Sequence, residues 1–146
     1  RATFAVGNAT LSTSLLQVEF PNYRQLIQPS YPNTLTVARE ALLEAVRRCR
    51  IFARETTPVR LEMTATSLKL SVITQDIGNS EEEIDCSLEG TEMIVGFNPE
   101  YLAAGIEAVT GDEITIQTTD PQRPAVLRGV GADDYLYLVM PQRLTV

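Results

Sequence analysis

Histidine and tryptophan are absent from the 146 residues, and cysteine occurs only twice. Without an imidazole there is no His-based general acid or base, no serine triad and no ordinary zinc site. Cys49 and Cys86 lie far apart and form no Cys-x-x-Cys pair. Two buried thiols in a reducing compartment suit them better than a disulfide framework. No phosphate-binding glycine loop is present. No apolar run approaches the roughly 18 residues of a membrane-spanning helix, and no signal peptide precedes the first strand-like segment. Basic residues are scarce as well, 12 against 19 acidic for a net charge of −7. A surface that attracts nucleic acid everywhere is thereby excluded. The length suits one domain with at most a fragment of a second. Arg1 in place of Met, running at once into Ala2–Val6, reads as a piece of something longer.

What is present is unevenly placed. Arg39, Arg47, Arg48, Arg50, Arg54 and Arg60 are half of all basic residues and occupy one short stretch. The run Glu81-Glu82-Glu83 reads as a solvated strand edge that discourages pairing, or as a docking stripe for a basic partner. Asp112-Glu113 and Asp133-Asp134 are the obvious carboxylate pairs, but both fall at turns, where Asp serves local hydrogen bonding. A small carboxylate-dependent hydrolase is therefore only a third reading.

Residues 2–6, 9–13 and 15–19 read as short strands, with Gly7-Asn8 as a hairpin turn. Residues 20–33 hold three prolines without helical or alternating pattern, as a linker does. A motif then runs twice. Its first copy opens with the strand Thr34–Val37 and continues as a helix over about 38–54. The helix carries Ala38, Ala41, Leu42, Ala45, Val46, Cys49, Phe52 and Ala53 on one apolar stripe. Three alternating strands follow, around Val59–Met63, Leu68–Val72 and Ile84–Leu88. The second copy opens with Met93–Phe97. Asn98 is a good N-cap and Pro99 suits the first helical position. This helix runs to about Val109, and Gly111 stops it. Ile114–Ile116, Ala125–Val130 and Tyr135–Met140 are then three more strands. The prediction is an α+β fold of two strand–helix–strand–strand–strand units, with antiparallel sheets backing two helices.

Two features point towards function, each with a bland alternative. Arg39, Arg47, Arg50 and Arg54 lie off the first helix's apolar stripe, with Arg48 near its border. Five arginines face three acids, Glu40, Glu44 and Glu55, on the helix and its end. Such a face is either solvated, with i,i+4 partners such as Glu44–Arg48, or a phosphate-tracking surface that ignores sequence. The second feature is the segment Tyr135–Met140, apolar throughout where a half-exposed strand should alternate. It is either a core strand or one whose open face awaits a partner. Pro141, lacking an N–H, is expected to end it.

The residues quoted so far, with FPNYRQLI (20–27), PVRLEMT (58–64), VGFNPEYL (95–102) and YLVMPQRL (137–144), resemble the bacterial DNA polymerase sliding clamp, the beta subunit of the replicative polymerase. They stand in the order and spacing of that family's C-terminal third. The resemblance implies the DNA-clamp fold. It makes residues 1–19 the closing strands of a preceding middle domain, 20–33 a linker, and 34–146 a complete C-terminal clamp domain. It also implies a non-catalytic processivity factor of the bacterial cytoplasm that needs no cofactor and no metal. Full-length subunits form a head-to-tail homodimeric ring around duplex DNA. Polymerase, clamp loader and repair proteins are tethered through a short Gln/Leu/Phe peptide. By motif, the peptide-binding residues are Pro21, Gln25 and Leu26 from the linker, Asn98 and Tyr101 from the second helix, Pro121 and Pro124 from the loop after Ile116, and Leu138, Val139, Met140, Pro141, Gln142 and Arg143 from the tail. Gln25 departs from a basic residue common in the family, and the tail runs on through Thr145-Val146. Arg39, Arg47, Arg48, Arg50 and Arg54 would face DNA. Ile51, Phe52 and Glu81–Glu83 would be this domain's share of the ring interface, and without the opposing first domain the chain is expected to be a monomer. The alternative is a generic protein–protein interaction domain with no DNA role.

Overall fold

A computed structural model describes residues 1–54, 56–75 and 77–144. Glu55, counted among the helix acids, and Thr145-Val146 of the tail lie outside the described residues.

Strands β1 (Ala2–Val6) and β2 (Ala9–Thr13) form an antiparallel hairpin about Gly7-Asn8, as expected. Residues 15–19 are not a strand. Alternation makes a strand only beside an edge that accepts it, and no described edge pairs with this segment. The hairpin stays a separate two-stranded sheet, with Phe4, Val6, Leu11, Leu15, Leu16, Val18 and Phe20 all exposed on or just after it. The linker contains one 3-10 turn, Tyr23–Gln25.

The rest is the doubled motif. β3 (Asn33–Ala38), α1 (Arg39–Phe52), β4 (Val59–Met63), β5 (Ser67–Thr74) and β6 (Gly78–Glu89) make the first unit. The second unit comprises β7 (Met93–Phe97), α2 (Pro99–Ala108), β8 (Glu113–Thr118), β9 (Ala125–Gly129) and the paired segments β10 (Tyr137–Val139) and β11 (Pro141–Gln142). All these strands join one antiparallel sheet in the order β10-β9-β8-β3-β6-β5-β4-β7-β11. β6 belongs to two half-sheets. Its residues 78–85 pair with β5, and Cys86–Glu89 pair with β3.

The strand expected over Tyr135–Met140 divides in two. Tyr137–Val139 pairs with Leu127–Ala125 of β9, while Pro141–Gln142 crosses to Phe97–Gly96 of β7. Pro141 therefore ends one ladder and opens another, which corrects the simpler expectation. A proline is tolerated at the first residue of an edge strand, where its missing N–H breaks no ladder. The two ends of the nine-stranded sheet are thus one continuous piece of chain, joined at Met140.

Alternation decides which side chains turn inward. Leu35 and Val37, Leu61 and Met63, Leu68, Leu70 and Val72, and Ile114 and Ile116 are all buried. They share a core with Leu42, Leu43, Val46 and Cys49 of α1 and Leu102 and Ile106 of α2. Cys49 is buried as expected, Cys86 is half-buried, and both are free thiols. The helices pack on each other, α1 lying against β3–β6 and α2 against β10.

Candidate functional site

Gly96 explains how the tail is seated. A Cβ built there would lie 2.7 Å from Cδ2 of Leu144 and 2.9 Å from the carbonyl oxygen of Gln142. Glycine inside a strand often marks close approach of another backbone, and here it lets the tail lie flat on β7. Between the tail and the loop before β9 is a cavity of about 610 Å³, lined by Ile94, Val95, Gly96, Pro121, Gln122, Pro141, Gln142, Arg143 and Leu144. A second cleft of about 500 Å³ continues past Ile94 and Pro121 towards Pro32, Asn33 and Thr119. The side-chain oxygens Gln142 Oε1 and Thr119 Oγ1, on residues of the two spaces, are buried without a hydrogen-bond partner among the described residues.

Of the residues expected at a peptide site, Pro121, Pro141, Gln142 and Arg143 line the first cavity. Leu138 and Pro124 are half-buried and Val139 is buried, whereas Met140 is 59% exposed. Pro21, Gln25 and Leu26 are exposed and line neither space. Asn98 is committed locally. Its Oδ1 accepts from the backbone N–H of Glu100 at 2.9 Å and of Tyr101 at 3.3 Å, capping α2 and leaving Tyr101 63% exposed. Asn98→Ala should cost about 1 kcal/mol, while Asn98→Asp keeps the cap. Urea titration separates them, and equal loss from both would show that the cap is not the cause. Ile94, Gln122 and Leu144 were missed by sequence reading, although Gly96 within an otherwise apolar strand was an available signal.

The arginine face is less basic than its sequence. Arg47 donates to Glu44 at 3.1 Å and to Glu107 of α2 at 3.0 Å. Arg48 makes two hydrogen bonds to Glu82 of β6, at 2.8 and 3.0 Å. Arg50 pairs with Glu100 of α2. Arg39 donates to the carbonyl of Gly111 at 3.0 Å and lies 3.4 Å from Glu40. Arg54 is exposed and makes no ion pair among the described residues. The hydrogen bonds that Arg47 donates to Glu107 and Glu44 raise it above its ordinary pKa, and those that Arg48 donates to Glu82 do the same for Arg48. In return Arg48 holds the Glu82 carboxyl below the usual range. All the pairs are solvent-exposed and contribute little to stability, but they define the charge of the face.

The Glu81–Glu83 run does not form a single stripe. Glu81 and Glu83 point outward, to Lys69 at 2.8 Å and Ser67 at 2.9 Å, while Glu82 turns back to α1. Ile51 is 75% exposed. Phe52 is half-buried beside Gly78, and its carbonyl accepts from Thr74 Oγ1 at 2.6 Å. Asp133 and Asp134 are exposed at a turn, as are Asp112 and Glu113 around the start of β8, and none lines either space. Among the described residues no three Cys, Asp or Glu side chains group as a metal site, and no helix is long and apolar enough to cross a membrane.

Two helices packed together against a doubled antiparallel sheet, with a cavity lined by the tail, define a DNA-clamp domain. The solved sliding clamp of Bartonella birtlesii bound to griselimycin matches 97% of this chain and 38% of its own, at TM-score 0.85 and 26% identity. The DNA polymerase III beta subunit of Thermotoga maritima matches 88% of this chain and 35% of its own, at 0.82 and 26%. The chain belongs to the family described as DNA polymerase III beta subunit, C-terminal domain, which matches residues 24–143. Among curated relatives, the beta sliding clamps of Synechococcus elongatus and Streptomyces coelicolor are 32% and 31% identical over 147 and 140 residues. Those alignments take in 99% and 92% of this chain but only 39% and 37% of the relatives' lengths.

Proposed function

We propose that this chain is the peptide-docking third of a bacterial processivity factor, non-catalytic and working in the cytoplasm. Residues from 34 onward belong to its C-terminal domain and 20–33 are a linker. Residues 1–19 close a preceding domain whose surface would cover the exposed Phe4, Val6 and Leu11. A full-length subunit dimerises into a ring through Ile51, Phe52 and the outward Glu81 and Glu83. Its α1 arginines face duplex DNA, and partners dock a Gln/Leu/Phe peptide on the tail strand. Residues 1–146 taken by themselves should sediment as a monomer.

The observation that carries the docking reading is the crossing of the tail from β9 to β7, which leaves Met140 exposed and sets the following Pro141 in the wall of a cavity about 610 Å³ in volume. An extended peptide lying on this seam would place alternate side chains in the cavity. Burying one Leu and one Phe is worth roughly 3–6 kcal/mol before ordering costs. Affinity is therefore micromolar at best, roughly −8 kcal/mol. Fluorescence anisotropy of a labelled Gln-Leu-x-Leu-Phe peptide should give a saturable curve in the micromolar range or weaker. A flat response to millimolar protein would refute the site.

One observation favours the alternative, an interaction domain without a DNA role: Arg47, Arg48 and Arg50 all have carboxylate partners. Salt-dependent association with duplex DNA separates the two readings.

A further inference from the structure

We propose that Glu100 and Glu107 of α2 act as masks for the α1 arginines and set how firmly this face holds duplex DNA. The inference rests on the DNA-facing reading of α1 given above.

The geometry pairs the helices side by side. Arg47 reaches Glu107 and Arg50 reaches Glu100, seven residues apart on α2 and three apart on α1. Within α1, Glu40 and Glu44 take up Arg39 and share Arg47. From β6, Glu82 takes Arg48. Five arginines thus stand among five carboxylates on described residues, so a face that is basic along one helix is neutral once α2 and β6 are counted.

Phosphate binding releases a condensed cation for each guanidinium that reaches DNA. A guanidinium already bonded to a carboxylate must first leave it. The carboxylate then stays close to the incoming phosphate and repels it. Arg47 and Arg50 therefore add little to the counterion count while Glu107 and Glu100 remain charged. Exposed ion pairs are weak, so the arginines are not lost to DNA. They bind it shallowly, which suits a surface that must slide rather than hold.

Glu100→Gln/Glu107→Gln removes the masks without shortening either side chain. Because both sites are solvent-exposed, the melting temperature should stay that of the parent. Binding of a labelled 20-base-pair duplex to the 146-residue chain is measured by anisotropy over 50–200 mM NaCl. The parent's log–log salt slope should be shallower than about −2, where five free arginines would give about −4. The double variant should steepen it by about 2, so that raising salt across this range weakens it about tenfold more than the parent. Glu107→Gln alone should give about half that change. Asp85→Asn/Glu89→Gln, which removes the same charge from the outward side of β6, should leave the slope unchanged.

An unaltered slope in the double variant, a parent slope already near −4, or equal steepening in the β6 control overturns the masking and leaves the DNA-facing reading intact. No binding by parent or double variant at 50 mM salt overturns both.

Discussion

Gly105→Val should destabilise the domain by about 3 kcal/mol and lower its melting temperature by roughly 10 °C. Gly105 is buried in the middle of α2, where glycine ordinarily costs about 1 kcal/mol relative to alanine. Its presence is explained by Tyr137. A Cβ built on Gly105 would sit 2.7 Å from Cε1 and 2.9 Å from Cγ of that ring. The ring cannot retreat cheaply, since β10 is fixed to β9 on one side and Tyr135 donates to the Gly105 carbonyl at 3.3 Å. The added side chain must push α2 from β10 or turn Tyr137 outward, and either opens the core around Ile106. Differential scanning calorimetry measures the loss. Tyr137→Ala should cost less in the Gly105→Val background than in the parent, because it also relieves the clash. A Gly105→Val protein as stable as the parent would mean that the ring and helix are not in contact.

Removing residues 140–146 should end peptide docking outright, the larger of the two functional effects expected here. The deletion takes away Met140, the whole of β11 and the Leu144 side chain, and with them one wall of the cavity on β7. Asp133→Ala, at an exposed turn outside both spaces, should leave affinity unchanged. Since the deletion also bares the edge of β7, Met140→Asp provides a milder test. That side chain is mostly exposed, so the fold should tolerate the charge, while a desolvated carboxylate under an apolar peptide should weaken binding at least tenfold. Circular dichroism checks that each protein is folded. A folded Met140→Asp protein that binds the peptide like the parent would place docking elsewhere.

Much of the fold was legible because each element announces itself over a short window. The stripe from Leu42 to Cys49 specifies a helix, and Asn98-Pro99 marks where the second one starts. Val59–Met63 and Leu68–Val72 alternate as half-buried strands do. What escaped depends on partners distant in sequence. Residues 15–19 alternate but find no edge. Tyr135–Met140 is uniformly apolar, so nothing in it says that pairing changes hands at Met140. Four of the five arginines counted on the first helix lie in α1, with Arg54 just past its end, but Glu82, Glu100 and Glu107 come from other elements and are invisible to a window on one helix. Likewise Glu81–Glu83 looks like one acidic patch until strand periodicity sends Glu82 to the opposite face. Of the residues that line the first cavity, the tail motif named Pro141, Gln142 and Arg143. The facing wall, Ile94 to Gly96, becomes a wall only through the pairing of β7 with the distant tail, and within it only Gly96 left a signal.

The crossing at Met140 also bears on how the domain opens. The two half-sheets are joined by continuous chain along β6 and again where β10 becomes β11, so one seam is a hinge and the other a clasp. Local opening should begin at the clasp, which has few ladder bonds, and should loosen β9 and β7 together although they lie at opposite ends of the sheet. A molecule bound across the clasp suppresses both openings at once. Amide hydrogen exchange would then slow in two places far apart in sequence, around Val126 and around Phe97. A ligand gripping one half-sheet alone would protect only one of them.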